Sequence, residues 1–316
     1  MILKEKSFLC FLISIPLIMM IGMNKPALKD PRINNRIARD RFWVMKTHGT
    51  TVYDMILMGD SRTYRALSPA NMESILDGYR IFNFGYSAGG LNPVMYKAAE
   101  RRIDPQSTKK VIVLGITPRE LTLDTTQNQK YLEDLNKPID EVLMYQYFIP
   151  LVDFLNPISP EDLLDAINKS IKTEKSRNFP GYYQEYYDDG WVASWFIPEN
   201  PEDSLHEYED YFNINKVDPG VVEDLFEQTR EWTSEGIKVF AFRVPTTEKM
   251  VALENEISGF NEPSFIDGFK NAGGIWFDIP LEPYHTYDGA HLVKPSAIRL
   301  SLDLAKLIKN YLDENP

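Results

Sequence analysis

The chain predicts an α/β protein built on a doubly wound parallel sheet of about five strands. Three observations carry that reading. Short apolar runs at 53–58, 79–84 and 110–114 each stop at a glycine, namely Gly59, Gly85 and Gly115. Segments of helical character separate these runs from one another and from two later runs at 237–242 and 275–278. The 110–114 run is apolar without alternation, as a strand buried on both faces must be. Strands that alternate with helices form parallel sheets with right-handed crossovers. The C-terminal strand ends of such a sheet share one rim, where open α/β folds place their ligands.

The helices follow from their punctuation. Ser68-Pro69-Ala70 supplies an N-cap and a proline at the first helical position, and Gly78 ends that segment. A second helix fits 93–102. A third runs over 219–235, with Val221, Leu225, Phe226 and Trp232 at helical spacing, a core stripe. A fourth fits 246–257, and a closing helix fits 295–312, with Ser296 near its start. Between about 121 and 217 the alternation stops. This stretch is rich in proline, aromatic and acidic residues, with one helix expected over 159–171. It reads as an insertion that either caps the site or packs as an ordinary excursion.

The 316 residues accommodate one large domain with such an insertion, and 43% hydrophobic content supplies its core. A net charge of -12 lacks the basic footprint of a nucleic-acid binder. The acidic residues around 185–210 read as a solvated face. Cys10 is the sole cysteine, so neither an intrachain disulfide nor a cysteine metal site is available. An apolar run over 7–23 is about 17 residues long, the lower limit for a spanning helix. No small-residue cleavage site follows it. The expected organisation is a signal anchor at 1–23, a basic juxtamembrane stalk at 24–51 with helical character near 37–45, and a globular part at 52–316. Lys4 and Lys6 favour a cytoplasmic N-terminus, whereas Lys25, Lys29, Arg32, Arg36, Arg39 and Arg41 argue the other way. Export is the expectation, because a short N-terminal anchor serves to deliver the globular part attached to it.

The turn Gly59-Asp60-Ser61-Arg62 follows the first strand and lifts the Ser61 hydroxyl clear of the sheet. A serine nucleophile needs a base with a pKa near 7 and a carboxylate to hold that base in one tautomer. Of the four histidines, His48, His206, His285 and His291, the last stands three residues after Asp288 on a loop before the closing helix. That spacing brings imidazole and carboxylate to one rim. The plain alternatives are a turn serine and a satisfied loop histidine. Asp288, His285 and His291 have no evident further ligand, so no metal is expected. The 85–90 glycines lack dinucleotide spacing and no Walker motif occurs, so no cofactor is expected. Arg62, Arg119 and Arg243 each follow a strand end. On a shared rim they would hold a carboxylate, uronate or phosphate, unless each pairs with a local carboxylate such as Asp60 or Glu120.

Gly59-Asp60-Ser61, Asn83-Phe84-Gly85 and Asp288-x-x-His291 together resemble the SGNH (GDSL-type) hydrolase superfamily. The N-terminal anchor and the Gly-Asp-Ser-Arg turn are similar to its membrane-anchored branch, which modifies envelope polymers and polysaccharides. The resemblance covers about 52–117 and 237–312, not the insertion. It implies a flavodoxin-like sheet, Ser61 as nucleophile, His291 as base and Asp288 as its orienting carboxylate. It also implies the backbone N–H groups of Ser61 and Gly85 as oxyanion donors. One block departs. The family's Gly-x-Asn-Asp is replaced by Gly115-Ile116-Thr117-Pro118-Arg119. Loss of an oxyanion donor costs about 10²–10³ in rate, so Thr117 or Arg119 is expected to stand in. The implied function is an exported serine esterase or O-acyltransferase acting on an acylated glycan. The ester would be an O-acetyl group of an envelope or exported polysaccharide, with Trp191, Trp195 and nearby tyrosines stacking sugar rings. The alternative is a non-catalytic module that binds polysaccharide or a membrane acyltransferase partner.

Overall fold

The computed structural model of the chain describes residues 13, 14, 16, 33, 34, 36–87, 89–148 and 181–315. Among them are strands β1 (Met55–Met58), β2 (Ile81–Asn83), β3 (Val111–Ile116), β4 (Gly181–Tyr186), β5 (Val192–Ile197), β6 (Lys238–Arg243) and β7 (Ile275–Trp276). Five of these form one sheet in the order β2-β1-β3-β6-β7. Every pairing within it is parallel. From β1 the chain steps outward to β2, then crosses back to β3 on the other side of β1. The switch point therefore lies between β1 and β3, and their C-terminal ends open a crevice.

The strands are buried on both faces, and their side chains sort by parity. Ile56, Met58, Ile112, Leu114, Val239 and Ala241 face one layer, which holds Met95, Leu225, Trp232 and Phe269. Met55, Leu57, Val111, Val113, Phe240 and Phe242 face the other, which holds Met72, Leu300, Leu304 and Ile308. The first layer comes from helices Pro93–Glu100, Pro219–Ser234 and Glu262–Asn271, and the second mainly from Lys294–Glu314. A two-sided apolar strand is thus the direct cause of the doubly wound arrangement.

The insertion is more closely joined to this body than an added cap would be. Strands β4 and β5 form an antiparallel hairpin, with Tyr182 opposite Phe196 and Tyr183 opposite Trp195. Trp191 and Ala193 of the hairpin belong to the second core layer. The Trp191 Nε1–H donates to the Arg65 carbonyl at 2.9 Å. Trp191 is therefore core and not a sugar platform, because its ring is buried and its one polar atom is spent. Trp195 is half-buried and stacks on Tyr183. The helix expected over 159–171 lies outside the described residues.

From Arg36 onward, the segment expected as a stalk is part of the folded body. Helix Arg36–His48 buries Phe42 and Val44. It also buries Lys46, whose Nζ donates to the Gly85 carbonyl at 2.6 Å and lies over the Phe42 and Tyr64 rings. Among the described residues no helix is long and apolar enough to cross a membrane. The apolar run at 7–23 lies almost wholly outside them.

Candidate active site

The turn that carries Ser61 is set by backbone geometry. Gly59 has φ +146°, and a Cβ there would meet Thr63 Oγ1 at 2.0 Å. A Cβ on Gly90 would meet the Gly59 carbonyl oxygen at 1.9 Å. The end of β1 and the loop after β2 therefore touch backbone to backbone, which only glycine permits. Asp60 caps helix Ser61–Ala66, accepting the Arg62 N–H on Oδ1 at 2.8 Å. Its Oδ2 accepts the Thr117 hydroxyl at 2.9 Å. Ser61 is thus the first residue of the helix, and its N–H is among the first-turn donors that no intrahelical carbonyl accepts.

The structure brings Ser61, His291 and Asp288 together. Ser61 Oγ stands 3.0 Å from His291 Nε2. His291 Nδ1 stands 2.7 Å from Asp288 Oδ2. The other carboxylate oxygen accepts the N–H groups of Ala290 and His291 at 2.9 and 2.7 Å. With Asp288 so fixed, Nδ1 carries the proton and Nε2 offers its lone pair to the serine hydroxyl. Burial lowers the imidazole pKa, the Arg65 charge lowers it further, and the Asp288 contact only partly offsets both. The imidazole is therefore neutral and ready to accept a proton at pH 7. Burial pushes the Asp288 carboxyl up, but the hydrogen bond from the His291 ring, the charge of that ring once it is protonated, and the N–H groups of His291 and Ala290 outweigh it and hold it down at about 2.

Beside Ser61 lies a cavity of about 250 Å³, whose lining includes Tyr64, Arg65, Ser87, Gly89 and Arg119. Among the described residues no cluster of three His, Cys, Asp or Glu is placed to hold a metal.

Several residues expected at the rim stand elsewhere. Arg62 is buried and ion-paired to Glu254 at 2.7 Å. Arg243 pairs with the other oxygen of Glu254 at 2.8 Å and with Glu262 at 2.6 Å. A buried carboxylate on helix Glu248–Ile257 thus draws both arginines inward, away from any ligand. The Gly85 N–H donates to Asn83 Oδ1 at 3.0 Å, so it too is committed to the fold. Thr117 is fully buried, with its hydroxyl on Asp60. Arg119 alone of the three arginines reaches the cavity, stacked over Tyr211 at 4.3 Å and paired with exposed Glu207 at 3.3 Å.

Sequence reasoning missed four contributors. Arg65 lines the cavity and donates from Nη1 to the Tyr287 hydroxyl at 3.2 Å. The Tyr287 ring is parallel to the His291 imidazole at a centroid distance of 5.8 Å. Gly89 is in the cavity wall, four residues beyond the expected glycine. Glu120 is fully buried behind the turn that carries Ser61 and accepts the Gly90 N–H at 3.0 Å. Burial, then the Asp60 charge, push its carboxyl well above the usual range. One signal was available for Arg65. It stands four residues after Ser61, which on a helix is the same face.

Fold and site together define an α/β protein with a serine-histidine-aspartate relay on the C-terminal rim of a parallel sheet. No protein-family model matches the chain, and no curated protein matches it. Among solved structures it is similar to a candidate platelet activating factor from Streptococcus pneumonia. That match has 11% sequence identity and a TM-score of 0.34, over 88% of this chain and 91% of that one. At that TM-score the likeness is too slight to carry a function across to this chain.

Proposed function

We propose that the chain is a serine acyl-ester hydrolase or O-acyltransferase of the SGNH (GDSL) type. The observation that carries this reading is the Ser61–His291–Asp288 relay opening on a cavity. His291 Nε2 takes the Ser61 proton as Oγ attacks the ester carbonyl. The oxyanion forms beside the Ser61 N–H, with Gly89 and Arg119 in the same wall. Collapse of the tetrahedral intermediate breaks the ester C–O bond, and His291 returns the proton to the departing hydroxyl. The acyl-enzyme is then cleared by water or by an acceptor hydroxyl, with His291 again removing the proton. Asp288 stabilises the imidazolium formed in each half and stays ionised. A cavity of about 250 Å³ suits a short acyl group such as acetyl. Drug-sized ligands fill roughly 300–1,000 Å³.

The acyl group sits on an envelope or exported polysaccharide in this reading, and half-buried Trp195 is the aromatic face available to a sugar ring. The apolar run at 7–23 anchors the chain, with the folded part outside the cytoplasm, beside any membrane acyltransferase partner. A reporter fused after Pro316 should be exposed outside the cytoplasm. A second reading, a non-catalytic binding module, is favoured by one observation: Thr117 and the Gly85 N–H are both spent inside the fold.

A serine-directed phosphonate separates the two readings. Mass spectrometry of the treated chain should find one adduct, on Ser61, lost in His291→Ala. Folded protein that takes up no adduct would point to the binding module.

A further inference from the structure

The four arginines near Ser61 are not equivalent. Arg62 and Arg243 are neutralised by Glu254 and Glu262. Arg119 pairs with an exposed glutamate. Arg65 has a different set of neighbours. Its Nη1 donates to a neutral phenol, Tyr287, and its guanidinium lies 5.3 Å from the Tyr64 ring centroid and 5.8 Å from that of Tyr182. Its Nε is buried with no hydrogen-bond partner. Among the described residues no carboxylate lies within ion-pair distance of it. Asp288 acts on it only from further off, and that carboxylate is already committed to His291.

A half-buried cation whose Nε is sealed from water and which has no counter-ion within reach is costly, and this one has two further properties. It lines the cavity at Ser61, and it stands on the same helical face as the nucleophile. It also works against the proposed chemistry. It is hydrogen-bonded to Tyr287, the residue stacked on His291, and its positive charge opposes the imidazolium that forms in the transition state.

We propose that Arg65 is the receptor for an anionic group, a carboxylate or phosphate, carried by the substrate beside its ester, and that this anion relieves the Arg65 charge on His291. The inference rests on the serine acyl-transfer reading and names the substrate class of that site. Arg65 then acts as a specificity gate. A neutral ester leaves its charge uncompensated and His291 a poorer base. An anionic ester neutralises it, so the discrimination is expressed in kcat as well as in KM. Arg119, in the same wall, adds a second positive charge to the subsite.

The test uses the full chain and three esters matched in length: an O-acetylated oligouronate, an O-acetylated phosphate-bearing oligosaccharide and an O-acetylated neutral oligosaccharide. Wild type should prefer one of the anionic esters by roughly 10–100-fold in kcat/KM, the range for a charge-assisted hydrogen bond. Which one it prefers tells carboxylate from phosphate. Arg65→Gln should bring the ratio close to one, by slowing the anionic ester and speeding the neutral one. Arg65→Lys keeps the charge without the planar fork and should retain part of the preference, which guards against a variant that fails to fold. No preference in wild type, or a preference that survives Arg65→Gln, would overturn the subsite. A loss confined to KM would overturn the relief of His291. Phosphonate labelling runs on the same samples. Labelling without anion preference leaves the serine chemistry standing alone. No labelling, with the deacetylated oligouronate bound in calorimetry by wild type and not by Arg65→Gln, leaves the anion site standing alone.

Discussion

On one flank of Ser61 the polar atoms are aligned along a path of proton transfer, from Oγ to Nε2 and from Nδ1 to Asp288. On the other flank, the groups expected to hold the oxyanion are turned into the fold: Gly85 toward Asn83, and Thr117 toward Asp60. The base side is built from one short loop, so three residues of sequence fix its geometry. The oxyanion side is assembled from three separate strand ends. Its hydrogen bonds are used first to hold those ends together. In the proposed reaction the nucleophile is thereby activated by local structure, while charge stabilisation falls to the Ser61 N–H and to cavity-lining groups such as Gly89 and Arg119.

The largest effect should come from the base side. Asp288→Asn keeps the shape of the side chain but favours the wrong imidazole tautomer, and loss of the carboxylate in such a triad costs about 10⁴ in kcat. Ester turnover by the purified variant checks this. A fall of less than tenfold would mean that His291 is not oriented through Nδ1 and that the two flanks are not so unequal.

The same asymmetry explains what could be read from the sequence. The five parallel strands were legible because burial on both faces leaves their centres apolar, with polar residues such as Asn83, Lys238 and Arg243 only at their ends. The relay was legible because its members lie in two compact motifs, at Gly59–Ser61 and Asp288–His291. The arginines were not. Residue 62, beside the nucleophile, turns under the helix to meet Glu254, a partner nearly two hundred residues away. Residue 65, one turn on, arrives in the cavity. A place just past a strand end singled out Arg62 and passed over Arg65, which the helical period puts on the face of Ser61. Gly85 misled for a related reason. It fits the block, but Asn83 folds back on its N–H and Lys46 takes its carbonyl. Lys46 belongs to a helix that read as a stalk.

An intermediate effect concerns pH. His291 is faced by Asp288, by the Tyr287 ring, and by the charges of Arg65 and Arg62. Burial, then Arg65, lower its pKa, so the acid limb of kcat/KM should fall below the ordinary imidazole range, with activity retained at higher pH. Removing a positive charge makes the imidazolium easier to form. Arg65→Gln should therefore move the acid limb to higher pH, measured with the neutral ester so that no substrate anion intervenes. A limb that stays in place would separate Arg65 from His291 electrostatically and leave it only a binding role.

The smallest effect should come from Thr117. Thr117→Val removes the hydroxyl that donates to Asp60 Oδ2 and leaves a buried carboxylate oxygen with one partner fewer. A loss of about 1–3 kcal/mol in unfolding free energy is expected, the usual cost of an orphaned buried acceptor. Denaturant titration would read it. Turnover per folded molecule should fall by less than about tenfold, because in this geometry the hydroxyl points at Asp60 and not at the cavity, whereas loss of a true oxyanion donor costs about 10²–10³. If Thr117→Val instead kept its stability and lost about 10²-fold in rate, the hydroxyl would have to swing toward the oxyanion once substrate is bound. The oxyanion flank would then be as complete as the base flank, assembled only on binding.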